Sequence, residues 1–177
     1  MTLQTETTTK TQNGTETTAP AGRSATERGG ASYAGLLERV RHEGAYPTRE
    51  RAEHAVRSVL AALGRQLVGD ERVELAARLP LEAALTLTAQ IPATIPLTGW
   101  EFVKDLAQRT GNSLATIRWD VGAVLTPIAR LVGPDLTDRI IRQLPSGYAL
   151  LFGKAELLPG RGSQQGCAGG ERPLTDA

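Results

Sequence analysis

The chain has 177 residues, of which 20 are basic, 19 are acidic and 40% are hydrophobic. This near balance of charge excludes a general electrostatic attraction to nucleic-acid backbones or anionic membranes. No segment has the roughly 18 consecutive apolar residues that a membrane-spanning helix requires. Cys167 is the only cysteine and the N-terminus lacks the apolar core of a secretion signal, so we expect a cytoplasmic protein.

Both ends of the chain have the composition of disordered segments. Residues 1–31 are rich in Thr, Gly and Glu, and residues 159–177 are rich in Gly. Neither has enough large apolar side chains to offset the entropy lost on ordering. We therefore predict two disordered tails around a folded body, with one lobe at 32–88, a linker at 89–97 and a second lobe at 98–158.

Apolar residues recur with helical spacing through the first half of the body. A first helix begins near Tyr33 and ends at Gly44, and a second helix has Thr48 as its N-cap. We place a third helix after Asp70 as N-cap and a short fourth helix with Pro80 in its first turn. The residues of the fourth helix predicted to face inward are Ala84, Leu85 and Leu87.

The second half of the body repeats this helical pattern after a linker that contains two prolines. Thr98 and Glu101 form a capping box that opens the fifth helix, and Gly111 ends it. Ser113 is the expected N-cap of the long sixth helix, Pro134 opens the seventh, and "SGYALLF" closes the set. Since no stretch shows the alternation of a strand or a hairpin signal, the sequence predicts an all-α body.

A sequence repeat relates the two halves of the body. Leu79-Pro80 recurs as Leu144-Pro145, 65 positions later, and at the same offset Val56 of the second helix falls on Val121 of the sixth. A unit of about 55 residues buries too little apolar surface to be stable alone. We therefore predict two similar four-helix lobes, produced by an internal duplication and packed as one helical body.

A family resemblance accompanies this repeat. The segment "AEHAVRSVLAALGRQLVGDERVELAARLP", together with the "RQLP" that ends the second copy, resembles the bacterial domain of unknown function family numbered 2267. The resemblance extends roughly from Tyr33 to Leu157 and implies a small, two-lobed helical protein. It implies no catalytic residue, cofactor or partner, because that family is uncharacterised.

The sequence contains no motif for catalysis or metal binding. Neither His42 nor His54 has a Glu three residues before it or a second His four residues after it, as metal-binding helices do. There is no Gly-x-Ser-x-Gly elbow and no phosphate-binding glycine loop. We therefore predict no catalytic residue, no metal and no cofactor.

Nucleic-acid binding is an alternative that the charge pattern does not favour. Arg49, Arg51 and Arg57 lie on the second helix, but Glu50 and Glu53 interrupt them, so no basic stripe forms. Aromatic residues are 4% of the chain, too few for a base-stacking platform.

The outer face of the sixth helix is the strongest candidate for a functional surface. Opposite its core stripe, which is centred on Val121, lie small residues around one large aromatic: Ala115, Trp119, Gly122, Ala123 and Thr126. The aligned positions of the second helix are more polar: Glu50, His54, Arg57, Ser58 and Ala61. A helix that is apolar on two sides is usually buried on two sides. We expect the first lobe to cover this face, with a partner chain, a second copy or a ligand as the alternatives.

The function predicted from these patterns is that of a small, non-enzymatic, cytoplasmic protein-interaction module whose partner is unknown. One alternative is a small-ligand binder or enzyme with a pocket at the seam between the lobes. The other is nucleic-acid binding.

Overall fold

A computed structural model describes residues 32–154, so both predicted tails and residues 155–158 of the second lobe lie outside the described residues. Within 32–154 the chain forms eight α-helices and no strand, which confirms the predicted all-α fold. The helices are α1 (Tyr33–Glu43), α2 (Arg49–Gln66), α3 (Gly69–Arg78), α4 (Leu81–Thr88), α5 (Gly99–Thr110), α6 (Leu114–Val132), α7 (Pro134–Gln143) and α8 (Tyr148–Leu151).

Local capping chemistry sets several of the helix ends. The Thr48 hydroxyl accepts the Arg51 amide at 3.2 Å, and the Ser113 hydroxyl accepts the amide three residues later at 3.1 Å. Thr98 and Glu101 make both bonds of the capping box, because the Glu101 carboxylate accepts the Thr98 amide at 2.9 Å. Gly111 ends α5 in the left-handed conformation, with a φ of 69°. These four predicted helix ends are confirmed.

Three predictions for α3 and α4 were wrong in detail. α3 begins two residues earlier than predicted, at Gly69, so Asp70 lies in its first turn, where a negative charge suits the helix dipole. Pro80 directly precedes α4 instead of lying in its first turn. Leu85 is 58% exposed, because the inward stripe of this eight-residue helix is formed by Ala83 and Leu87.

The helices pack around a central pair, α2 and α6, which contact each other. α1 packs against both of them, and so does α5. α4 covers α2, α3 packs against α7, and α8 packs against α6. One hydrophobic core extends from Leu36 to Phe152, so the eight helices form one body. The internal duplication itself stays a prediction.

The segment between α4 and α5 is fastened to the end of α2. The Ala93 amide donates to the Arg65 carbonyl at 2.7 Å, and the Leu97 amide donates to Oε1 of Gln66 at 2.8 Å. Next to this attachment, Gly64 of α2 lies so close to α4 that a Cβ built there would overlap the Leu87 carbonyl oxygen. A glycine is therefore required where α2 and α4 cross.

Candidate functional site

The outer face of α6 forms the floor of an open groove. Its first hollow, of about 390 Å³, has Glu43 of α1 on one side and α6 residues as its floor. The structure thus brings all five predicted face residues together: Ala115, Trp119, Gly122, Ala123 and Thr126. Two further hollows, of about 330 and 340 Å³, continue along α6 past Pro127 to Gly133. We call the three hollows together the α6 groove.

Trp119 lies at the edge of the α6 groove and is 59% exposed. Its indole Nε1 donates a hydrogen bond of 2.9 Å to the carbonyl of Gly44, the residue that ends α1. The expectation that the first lobe covers this face was wrong for Ala115 and Trp119, which are exposed, whereas Ala123 is buried. The reason is that α1 stops at Glu43, so that its end meets the edge of the indole and leaves Ala115 and most of Trp119 uncovered.

Gly122 lies on the floor of the first hollow, and no described residue packs over it. A Cβ built on Gly122 meets no heavy atom within 4 Å, and the residue has ordinary helical geometry. Every other described glycine either has a positive φ or has a neighbour within reach of such a Cβ. Because glycine in a helix interior costs about 1 kcal/mol relative to alanine, the described fold gains nothing from Gly122.

A buried charge network lies directly behind the groove. Asp120, which is 4% exposed, accepts hydrogen bonds of 2.6 Å from the Tyr46 hydroxyl and from Nη2 of Arg51. The Arg51 guanidinium also lies 5.0 Å from the centre of the Tyr46 ring. Burial and the bond to Asp120 raise the pKa of Tyr46, so its hydroxyl stays protonated and donates.

Two adjacent residues of α6 hold the turn that follows α1 from opposite sides. Trp119 holds the Gly44 carbonyl on the groove side, while the adjacent Asp120 holds Tyr46 on the core side. Between them Ala45 has a positive φ of 48°, a conformation that non-glycine residues adopt rarely. The position of α1 relative to α6, and with it one wall of the groove, therefore depends on this turn.

Sequence reasoning missed Asp120. The available signal was its place on the core side of α6, one residue before Val121. A second signal was its alignment, at the offset of 65, with Ala55, which is also buried. A carboxylate at a core position needs a hydrogen-bonding partner. The aligned alanine indicates that the helix pair can form its core without a carboxylate at this position.

Comparison with known families places the chain. The sequence profile of the uncharacterized conserved protein family DUF2267 matches residues 33–151, a range that includes all eight described helices. The chain belongs to this family. The resemblance noted from the sequence is thereby confirmed, and a comparison with curated proteins gives no match. DUF2267 membership brings no activity with it, so function must be inferred from the groove.

On the rim of the groove in this DUF2267 protein, the charged side chains without an ion-pair partner in residues 32–154 include arginines but no carboxylate. Both rim carboxylates are already paired: Glu43 with Arg130 at 3.0 Å, and Glu38 with Arg41 at 2.9 Å. Arg118 and Arg39 also line the groove, and neither makes an ion pair or a hydrogen bond to any residue in 32–154.

The other sites weighed from the sequence gain little from the structure. In residues 32–154 no three His, Cys, Asp or Glu side chains cluster as metal ligands, and His42 and His54 are exposed. The void between α2, α5 and α6, next to Asp120, leaves no room for a water molecule. None of the eight described helices is both long and apolar enough to cross a membrane.

The arginines of α2 do not form a basic surface. Arg57 pairs with Glu53 at 2.7 Å and Arg51 pairs with Asp120 at 2.6 Å, which leaves only Arg49 of the three without a carboxylate partner among the described residues. An isolated arginine gives little of the phosphate-neutralising charge that nucleic-acid binding needs.

Proposed function

We propose that this chain is a non-enzymatic, cytoplasmic protein-interaction module whose α6 groove receives an α-helix of a partner protein. Gly122 is the observation that carries the proposal. A glycine in the middle of a 19-residue helix, with open space above it, is unexplained by the described fold. It is explained by a second backbone that approaches α6 closely from outside.

The shape of the groove suits a helix. Its floor extends from Ala115 to Gly133, which at 1.5 Å per residue is about 27 Å, or the length of about five helical turns. Small residues on the floor allow the axis of a docked helix to approach to about 8 Å, the lower end of helix packing distances.

Trp119 supplies the apolar anchor of the proposed interface. Its indole is held in place by the bond to Gly44 yet leaves more than half of its surface open. Tryptophans that become buried on binding are frequent among the residues that dominate interface energy. The fixed indole would therefore contribute contact area without losing much rotamer entropy.

The alternatives considered from the sequence gain no comparable support. The void between α2, α5 and α6 leaves no room for a water molecule, and the hollows between α1 and α6 belong to the open α6 groove, so neither supports an enclosed ligand pocket. The arginines of α2 are mostly paired within the chain, so a nucleic-acid surface lacks free charge.

The proposal is tested by selecting displayed helical peptides of about 20 residues on the full-length chain and measuring their affinity for groove variants. A Cβ at residue 122 meets no described heavy atom within 4 Å, so the Gly122→Leu side chain starts in open space above the floor and the variant should fold. We expect selected peptides to bind Gly122→Leu at least about tenfold more weakly than the natural chain, a loss of about 1.4 kcal/mol. Ala77→Leu, a change at an exposed position of α3, is the matched control and should bind normally. Selected peptides that bind both variants equally would contradict the proposal.

A further inference from the structure

We infer that the partner helix of the α6 groove is acidic: a small-residue face flanked by Asp or Glu side chains. The inference rests on the proposed function and adds the chemistry of the partner. It is carried by Arg39 and Arg118, the two rim cations that the described chain leaves without a carboxylate.

The two arginines are distributed along the groove. Arg118 lines the first hollow beside Trp119, and Arg39 lines the next hollow, on α1. Both are exposed, so each is free to reach a group that enters the groove. An arginine binds a carboxylate through two parallel hydrogen bonds, which fixes orientation as well as charge. A helix with carboxylates near both hollows would therefore be oriented as well as attracted.

The same charges disfavour a second copy of this chain as the occupant. A symmetric dimer formed through the groove would bring both rims into one interface, so four unpaired arginines, two from each copy, would share it. The rim carboxylates that could neutralise them, Glu38 and Glu43, are already bound to Arg41 and Arg130 within their own chain. Like charges placed opposite each other oppose association.

A charge-balanced selection tests the inference. A displayed library of helical peptides keeps an alanine-rich face and varies the flanking positions evenly between Glu and Lys, and it is selected on the full-length chain. We expect the enriched peptides to carry mainly Glu. Their affinity is then measured from Trp119 fluorescence in a Trp100→Phe background, which leaves Trp119 as the only tryptophan of the chain.

Two matched double variants show whether the attraction to acidic peptides comes from the rim of the groove. Removing both rim arginines, with Arg39→Gln and Arg118→Gln, should weaken the Glu-rich peptides at least about tenfold and flatten their salt dependence. Arg49→Gln with Arg142→Gln removes the same charge from exposed positions outside the groove and should change affinity less than about twofold.

The outcomes separate this inference from the proposed function. Lys-rich or neutral peptides whose binding is lost in Gly122→Leu would overturn the acidic partner and leave the groove as a helix-binding site. Equal losses in the two double variants would also overturn it, because the attraction would then come from net charge alone. Concentration-dependent dimerisation abolished by Gly122→Leu would identify a second copy as the occupant. Failure to enrich any peptide that depends on Gly122 would overturn both proposals.

Discussion

α2 and α6 are the two central helices, and they present matching inner faces and contrasting outer faces. Val56, Val59 and Leu60 of α2 are fully buried, and so are the residues at the same positions of α6, 65 places later. On the outer faces, however, exposed His54 corresponds to Trp119, and Arg57 corresponds to Gly122. The apolar inner faces of α2 and α6 are alike because both helices line the shared core. The difference that bears on function therefore lies on their outer faces.

The helical glycines of these two elements make the same contrast. Gly64 of α2 is required by the fold, because any side chain there would overlap α4. Gly122 of α6 meets nothing in the described chain. An intramolecular contact explains Gly64, and no contact within the described residues explains Gly122. An intermolecular contact at the α6 face would explain it.

The largest effect should come from the one buried carboxylate that α6 has and α2 lacks. We expect Asp120→Ala to lower the free energy of unfolding by about 3 kcal/mol, because it leaves Arg51 and Tyr46 without their acceptor in a largely buried site. Urea unfolding followed by circular dichroism measures the loss. Asp138→Ala, which breaks the more exposed pair with Lys154, is the control and should cost less than about 1 kcal/mol. Equal losses would show that the Asp120 network does not hold α1 to α6.

A smaller loss is expected when α2 is deprived of its close contact with α4. Gly64→Ala should lower the free energy of unfolding by about 2 kcal/mol, because the added methyl group forces the Leu87 backbone away from α2. The midpoint of urea unfolding reports it directly. An unchanged midpoint would mean that α4 shifts at no cost, and the contrast between the two glycines would lose its basis.

Trp119 should contribute less to stability than either of these contacts. Trp119→Phe removes the hydrogen bond to Gly44 but keeps an aromatic ring, so we expect a loss of about 1 kcal/mol in the same urea measurement. Trp100→Phe is the matched control, because Trp100 has the same 59% exposure and its indole makes no hydrogen bond to residues 32–154. A loss of several kcal/mol at Trp119 would mean that the indole is a core residue instead of an anchor left open for a partner.

Local signals in the sequence account for most of what could be predicted of the fold. Caps such as Thr48 and Thr98 act within one helical turn, and the apolar spacing of α2 and α6 reports the inner face directly. The errors fell where helix starts and stripes were weakly marked. α3 has no side-chain cap, and α4 is so short that Leu85 and Leu87 were equally plausible inward residues from pattern alone.

The residues of the α6 face were predicted from the sequence, but the contacts that surround this face were not. A helical wheel places Ala115, Trp119 and Gly122 on one face, since that depends only on helical geometry. Whether α1 covers that face depends on where α1 ends and how it crosses α6, which no local pattern encodes. The partners of Asp120 could not be predicted for the same reason, because Tyr46 is 74 residues away along the chain.

The smallest effect expected is a gain, and it returns to the contrast between Gly64 and Gly122. Gly122→Ala should raise the free energy of unfolding by about 0.5 to 1 kcal/mol, because alanine restricts the unfolded chain and its methyl group meets no described atom. Thermal unfolding of the full-length chain, compared with the loss in Gly64→Ala, gives the two signs side by side. A gain would show that the natural glycine makes the chain less stable than alanine would. Such a cost is expected where a functional surface constrains the sequence. A loss would show that an intramolecular contact fills the space over Gly122, and the groove would then no longer be free to receive a partner helix.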